Sequence, residues 1–411
     1  MAIVGGGPAG AALAMRLAGA GRDVVLLERA PRYRWRACGV FSSPAAIGEL
    51  FALGLTQADL ARVARPIPRL WVAAPGGAEF PLDYGRGDTS DPTAVGFDRS
   101  ALDPLLLERA GASGADVREG TSVTGVDLAP GTERRGGRLT LAGTDGRWTL
   151  TARLIIGADG IRSVVARAAG VVRPARLPPR IGLTYHVPEA ISAGGDAVDG
   201  RMIVVRGGYC GLAPVPGGRV NVGIVLWGRQ RRAALVRLGA AAATAALVDS
   251  LPAWPAGHGP ELESNRLDDI AGAAPIAHRV SRRAGPTWLL VGDAAGFLDP
   301  FTGEGLHRAF VSARLAAAAI GTGRHAGDGT VGGPAGGAAA YEQAMRAQFA
   351  AKDLVSWIVQ VVVARPGLFD HVATRLAHRT DLREQMGRVM GDVAPARDAF
   401  DPRFLAALIA P

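Results

Sequence analysis

Residues 2–28 read AIVGGGPAGAALAMRLAGAGRDVVLLE, and their order decides the fold. Ala2-Ile3-Val4 is a short apolar run that predicts a buried strand, and Gly5-Gly6-Gly7-Pro8-Ala9-Gly10 follows with no spacer. Residues 11–20 are small and predict a helix. Asp23-Val24-Val25-Leu26-Leu27 predicts a second strand, closed by the acid Glu28, 18 residues beyond Gly10. A lone GxGxxG says little. Strand, GxGxxG, helix, strand and terminal acid within 28 residues predict a dinucleotide-binding βαβ unit. Gly5 permits the tight turn, Gly7 lets the backbone approach a pyrophosphate, and Gly10 allows close helix–strand packing with the helix N-terminus facing the anion. A carboxylate at Glu28 suits an unphosphorylated adenosine ribose, which favours FAD or NAD over NADP.

Two later segments decide between those two. Leu154-Ile155-Ile156-Gly157-Ala158-Asp159-Gly160 is a strand running into a turn, followed by Ile161-Arg162-Ser163 and a short helix. Trp288-Leu289-Leu290-Val291-Gly292-Asp293-Ala294-Ala295-Gly296 is another buried strand ending in an acid, and Pro300, Thr302-Gly303-Glu304-Gly305 and a helix over 306–320 follow it. Phe97-Asp98-Arg99 opens a further helix. Together these four motifs resemble the FAD fingerprints of the flavoprotein superfamily that holds para-hydroxybenzoate hydroxylase and the geranylgeranyl reductases. The resemblance spans Gly5 to about residue 320 in family order. It implies an α/β fold: a Rossmann-like, glutathione-reductase-type FAD domain, a strand-rich substrate domain and a C-terminal helical region.

It also implies cofactor contacts at Gly5, Gly7, Ala9, Gly10, Glu28, Arg29, Cys38, Gly39, Arg99, Val123, Asp159, Gly160, Asp293, Pro300, Gly303, Gly305 and Leu306. Asp293 at a strand end suits a ribityl hydroxyl. Gly303 and Gly305, where a helix starts, offer N–H groups and a positive dipole end to the anionic edge of reduced flavin. In the family, the Asp159-Gly160 turn touches both the flavin and a transient nicotinamide donor.

The expected FAD domain is discontinuous, over 1–65, 95–170 and 270–325. Within it, residues 118–151 read as an antiparallel meander. Residues 66–94 and 171–269 form the substrate domain, interrupted by an Ala-rich helix over 233–251. Residues 321–337 read as a flexible Gly-rich loop, and 338–411 as the helical tail.

Charge adds little to this reading. Of the 46 basic residues against 37 acidic ones, Lys352 is the sole lysine. An arginine habit explains the net +9 better than a nucleic-acid surface, which would cluster its positives with aromatics. A basic surface also suits an acidic electron carrier or an acyl-carrier protein. Two cysteines make no disulfide framework, and no apolar stretch is long enough to span a bilayer, so a cytoplasmic protein with optional membrane-surface contact is expected.

The subfamily is read from departures. Hydroxylases of the superfamily carry His after Gly-Asp-Ala-Ala and Asn after the helix start, where this chain has Gly296 and His307. Halogenases carry Trp-x-Trp-x-Ile and a catalytic lysine, which neither Trp71-Val72-Ala73-Ala74 nor Lys352 matches. Cys38-Gly39 and Gly208-Tyr209-Cys210…Asn221-Val222-Gly223 are similar to segments of the geranylgeranyl reductases, although Gly211, Leu212 and Ala213 replace the family's aromatics. The expectation is hydride transfer from reduced FAD to a C=C bond of a lipophilic or polycyclic molecule. Cys38, Tyr209 and His186 are the candidate acids, and NAD(P)H, a ferredoxin or a flavin reductase is the electron donor. The alternatives are a flavin monooxygenase and a dehydrogenase feeding a quinone or an electron-carrier partner.

Overall fold

The computed structural model describes residues 1–31, 40–85, 93–128, 136–144, 146–189, 199–251, 264–321 and 334–409. Cys38 and Gly39 lie outside the described residues.

Five short parallel strands form the first sheet, in the order Trp288–Leu290, Ile155–Gly157, Ala2–Val4, Val25–Leu27, Asp116–Arg118. Ala2 is in register with both Ile155 and Val25, and Ile155 with Trp288. The strands Ala2–Val4, Ile155–Gly157 and Trp288–Leu290 are buried throughout, as continuous apolar runs in a covered parallel sheet are expected to be. Because the strands are parallel neighbours, motifs nearly 300 residues apart end at one edge: Gly5, Asp159 and Asp293 all follow the C-terminal ends of adjacent strands. Helices Pro8–Gly19, Arg99–Ala112 and Gly305–Gly321 share that core through Leu13, Leu102 and Phe310. The antiparallel strands Ser122–Asp127, Gly137–Gly143 and Gly146–Ala152 add Leu139 and Leu141 to it.

The second sheet has seven strands, in the order Ala271–Ala273, Ile181–Pro188, Arg219–Leu226, Gly208–Val215, Gly200–Val205, Arg69–Ala73, Glu79–Asp83. Strand periodicity gives it two different faces. Tyr185, Cys210, Leu212, Val222 and Ile224 pack on one side with Ala243 and Leu247 of the helix Arg229–Val248. That helix starts four residues before the expected 233, and Gly239 breaks it at φ 83°, a conformation open to a residue without a Cβ.

On the other side, Leu70, Phe80 and Tyr209 share a core with Phe369, Leu376 and Leu382 of the C-terminal helices. Those helices run Pro334–Val363, Pro366–His378, Thr380–Met390 and Pro402–Ile409. The first corrects the expected loop over 321–337. Its last four residues are helical, because Pro334 lacks only an N–H that the first helical turn leaves unpaired anyway.

The two sheets touch through a small third sheet of Phe41–Ser42, Ala64–Ile67 and Ala94–Phe97. A Cβ on Gly96 would lie 1.9 Å from the Pro214 carbonyl oxygen. Only glycine permits this approach, which fixes the large sheet relative to the helix beginning at Arg99.

Among the described residues no single helix is long and apolar enough to cross a membrane. The pair Gly337–Val363 and Pro366–His378 meets the length and composition together, but is bent by 111°.

Candidate functional site

The first glycine turn is closed beneath and open above. Gly5 sits at φ +105°, where a Cβ would lie 2.4 Å from the Ala158 oxygen, and a Cβ on Gly10 would lie 2.0 Å from the Gly5 oxygen. A Cβ on Gly7 would meet nothing within 4 Å. Gly7 also caps the helix Pro8–Gly19 without a side chain, so the first-turn N–H groups, those of Ala9 and Gly10 included, are free of a side-chain cap. Glu28 is buried and held at the edge of this space. Gly6 N–H donates to its Oε2 at 2.8 Å and Ala30 N–H to its Oε1 at 3.0 Å. Arg29 beside it is exposed, and Val123 is half-buried against the parallel-sheet core. Arg99 is buried and forms a two-pronged pair with Asp103, at 2.6 and 2.8 Å.

The second and third strand ends carry acids in contrasting settings. Asp159 Oδ2 accepts from Val164 N–H at 2.6 Å, while its Oδ1 is buried with no partner among the described residues. Burial raises its pKa. Gly160 follows at φ +75°, with open space where a Cβ would be. Asp293 makes no side-chain hydrogen bond to a described residue, and burial pushes its pKa up to about 6 against the opposing pull of Arg99 and Arg308. Beyond it, Pro300–Thr302 forms a short 3-10 turn. Gly303 reverses the chain at φ +68°, where a Cβ would lie 2.4 Å from the Phe41 ring. Gly305 then opens its helix, and Leu306 is buried behind it.

These residues fit FAD: an open space over a helix N-terminus for a pyrophosphate, a fixed acid for a ribose, and two carboxylates with unused oxygens at adjacent strand ends. Bound there, FAD would supply hydride chemistry. The chain's own residues would orient it, and their hydrogen bonds hold the turns in place.

An unpartnered acid is an apoprotein liability. Because folding raises the pKa of Asp293 above its ordinary 3.8, the folded apoprotein binds that proton more tightly than the unfolded chain. The associated stability is present below about pH 4 and is lost as pH rises through about 6. Asp293→Asn is therefore expected to raise the apoprotein Tm at pH 7, flatten its dependence between pH 4 and 6, and weaken FAD binding about tenfold. Thermal melts across pH, with fluorescence titration of FAD, check both halves.

A buried cluster that the sequence did not announce lies beside the 300–303 turn. Arg180 Nη1 donates to Asp299 Oδ2 at 2.7 Å and also to Gln360 Oε1. Tyr209 Oη donates to Asp299 Oδ1 at 2.6 Å, and Gln360 Nε2 donates to the same oxygen at 3.0 Å. The guanidinium lies 4.7 Å over the Trp227 ring, and Tyr209 meets Phe301 edge-on at 5.1 Å. Tyr209 thus reaches the 300–303 turn with its hydroxyl hydrogen engaged by Asp299, and burial beside that carboxylate raises the phenol's pKa well above its ordinary value. His186 is also buried, its Nδ1 2.7 Å from Asp268 Oδ2. Strand register pairs His186 with Asn221 and Asn221 with Ala213, four residues along from Tyr209. The two candidates are thus separated by about 13 Å along the strands, too far to serve one reacting bond together.

Residues 1–322 match a family described as FAD binding domain. Among curated relatives, a digeranylgeranylglycerophospholipid reductase of Methanopyrus kandleri is 31% identical, covering 76% of this chain and 74% of its own. A menaquinone reductase of Mycolicibacterium smegmatis is 29% identical, covering 77% and 74%. Among solved structures, a geranylgeranyl bacteriochlorophyll reductase-like protein from Thermoplasma acidophilum superposes with TM-score 0.75 at 20% identity, covering 97% of this chain and 98% of that one. A flavin-dependent halogenase does so with TM-score 0.72 at 24% identity, covering 85% and 62%. At such identities the structural likenesses speak for the fold alone. The sequence matches go further: the chain belongs to the FAD binding domain family and is an FAD-dependent oxidoreductase.

Proposed function

We propose that the protein reduces a carbon–carbon double bond of a lipophilic, isoprenoid-type molecule at its FAD, with NAD(P)H or a separate reductase as electron donor. The observation that carries this reading is the bare floor of the seven-stranded sheet on the flavin side. Gly211 and Gly223 pair across strands there, next to Thr184 and near Ala213. A Cβ added at Gly223 would meet only atoms of its own sheet within 4 Å, and the three nearest to one at Gly211 also belong to that sheet. Glycines in place of bulky side chains leave room for an extended apolar chain, and Phe41 and Phe301 pack half-buried against the core on the same side of the sheet. The reductase relatives support the same chemistry, since menaquinone and digeranylgeranyl lipids both carry isoprenoid double bonds.

Protonation of the second carbon falls to Cys38, to His186, or to Tyr209 acting with Asp299. Of His186 and Tyr209, only one can lie beside a given bond. Anaerobic photoreduction of the FAD-loaded protein followed by mixing with isoprenoid alkenes tests the reading. Flavin reoxidation with a saturated product supports it. Reoxidation only by O2 with an oxygenated product favours a monooxygenase, and reoxidation only by a quinone or a carrier protein favours a dehydrogenase.

Substrate supply follows from the helix Pro334–Val363. Its inner face holds Ser356 and Gln360 against Glu304 and Asp299. Its outer face exposes Leu354, Trp357 and Ile358, with exposed Arg365 just past its end and Leu368 on the next helix. A tryptophan with exposed aliphatics, closed by an arginine on a chain of net charge +9, suits an anionic lipid surface. Trp357→Asp is expected to lower co-sedimentation with phosphatidylglycerol vesicles about tenfold while leaving FAD binding intact. Loss of dimer on light scattering instead would show that the face is covered by a second copy.

A further inference from the structure

Lysine occurs once in this chain, against 45 arginines, and it is buried. Lys352 Nζ lies 2.7 Å from Asp392 Oδ1 and 3.5 Å from Glu304 Oε1, and donates to the Val389 and Met390 carbonyls at 2.5 and 3.4 Å. The acceptors converge on a point from different directions, which a compact ammonium satisfies and a planar guanidinium does not. The surroundings commit each partner. Ser356 Oγ donates to Glu304 Oε1 at 3.1 Å, Ser43 Oγ to Asp392 Oδ2 at 2.8 Å, and His307 Nδ1 lies 3.1 Å from the same Oδ2. Asp392 holds this place with a left-handed backbone, φ 59°, alone among the described non-glycine residues. Such a conformation persists only where the surroundings over-determine it.

Glu304 is the middle residue of Gly303-Glu304-Gly305, the turn that opens the helix Gly305–Gly321, whose positive dipole end would face the flavin. A bare carboxylate there would cancel the field that stabilises reduced flavin, which carries a negative charge that the oxidised ring lacks. We propose that Lys352 is a positioning residue for the flavin's redox balance: paired with Glu304 and Asp392, it neutralises the acid built into the flavin-facing turn and so preserves that turn's positive field for the reduced cofactor. Lys352 acts through Glu304 and does not touch the flavin. The proposal rests on FAD lying at this turn.

The test equilibrates FAD-loaded protein anaerobically with a dye of known potential and reads the ratio of reduced to oxidised flavin. Glu304→Gln keeps a carbonyl oxygen for Ser356 and Lys352, removes the acid's negative charge from the turn and leaves the lysine paired with Asp392 alone. It is expected to raise the ratio about threefold or more at fixed ambient potential, with the affinity for oxidised FAD unchanged. Lys352→Met is expected to lower the ratio by a similar factor, and the double variant to return toward wild type. If Lys352→Met does not fold, Asp392→Asn replaces it, with a shift in the same direction as Glu304→Gln. A Glu304→Gln ratio equal to wild type overturns the proposal, as does a change confined to oxidised-FAD affinity, which a purely structural role would give. Wild-type protein that retains no flavin would instead remove the premise.

Discussion

Gly10→Ala is expected to purify without FAD, with affinity reduced about 100-fold or more, whereas Gly7→Ala leaves the apoprotein intact and loses only the cofactor. The difference lies in what each new methyl group meets. At Gly10 it would sit 2.0 Å from the Gly5 oxygen, and Gly5 cannot retreat, because it is already packed on Ala158. The helix Pro8–Gly19 must then lift from the sheet, moving the N–H groups away from where a pyrophosphate would lie and disturbing the core around Leu13. At Gly7 the backbone has φ −70°, which alanine adopts freely, and the methyl meets no protein atom within 4 Å. Gly7→Ala therefore keeps the apoprotein Tm or raises it slightly, by the equivalent of about 0.5 kcal/mol, while its methyl occupies the space reserved for the ligand. Thermal melts of apoprotein with FAD titrations separate the two. A Gly7→Ala protein that binds FAD as tightly as wild type would show that the open space is not the pyrophosphate site.

What the sequence disclosed and what it hid differ in kind. The glycine turns were legible because their geometry is written locally: an absent Cβ at Gly5, Gly10 or Gly303 matters wherever the chain goes next. Strand-end acids at 28, 159 and 293 were legible for the same reason, since each closes a short buried run. The cluster around Asp299 was not. Its members, at 180, 209, 299 and 360, come from one strand of the large sheet, the residue leading into another, a loop and a C-terminal helix, and no periodicity links them. Lys352 showed only as a compositional oddity, its partners lying 48 residues before and 40 after it. Tyr209 was singled out by its motif, yet the acid that takes its hydroxyl bond lies 90 residues on. Only the first turn of the helix starting at Pro334 was misread, because its Gly and Ala propose a loop, while tertiary packing farther along the same helix, at Tyr341 and Met345 in the parallel-sheet core, supports its extension back to Pro334.

That hidden cluster carries the second large effect. Arg180→Met is expected to destabilise the protein by about 3–5 kcal/mol at pH 8, because it strands the Asp299 carboxylate without its cation. Both side chains are almost wholly buried, at 2% and 1% exposure, so water cannot compensate. Methionine fills much of the same space against Trp227, so the loss is electrostatic in origin. Burial already raises the pKa of Asp299 while Arg180 pulls it down, and without the guanidinium it rises further. A carboxyl whose folded pKa is raised favours folding at low pH and loses that contribution as pH climbs through the folded value, so the deficit of Arg180→Met should shrink on going from pH 8 to pH 5.5. Adding Asp299→Asn should recover most of the stability at pH 8. The amide oxygen can still accept from Tyr209 and from the Phe301 N–H, and no charge is left to compensate. Urea unfolding at both pH values reads the cycle, and an Arg180→Met deficit independent of pH and unrelieved by Asp299→Asn would place the loss in packing against Trp227 instead. Since Asp299 Oδ1 also accepts from the N–H of Phe301 at 3.0 Å and so shapes the turn that leads to Gly303, the single variant should bind FAD more weakly at pH 8 and the double variant should regain it.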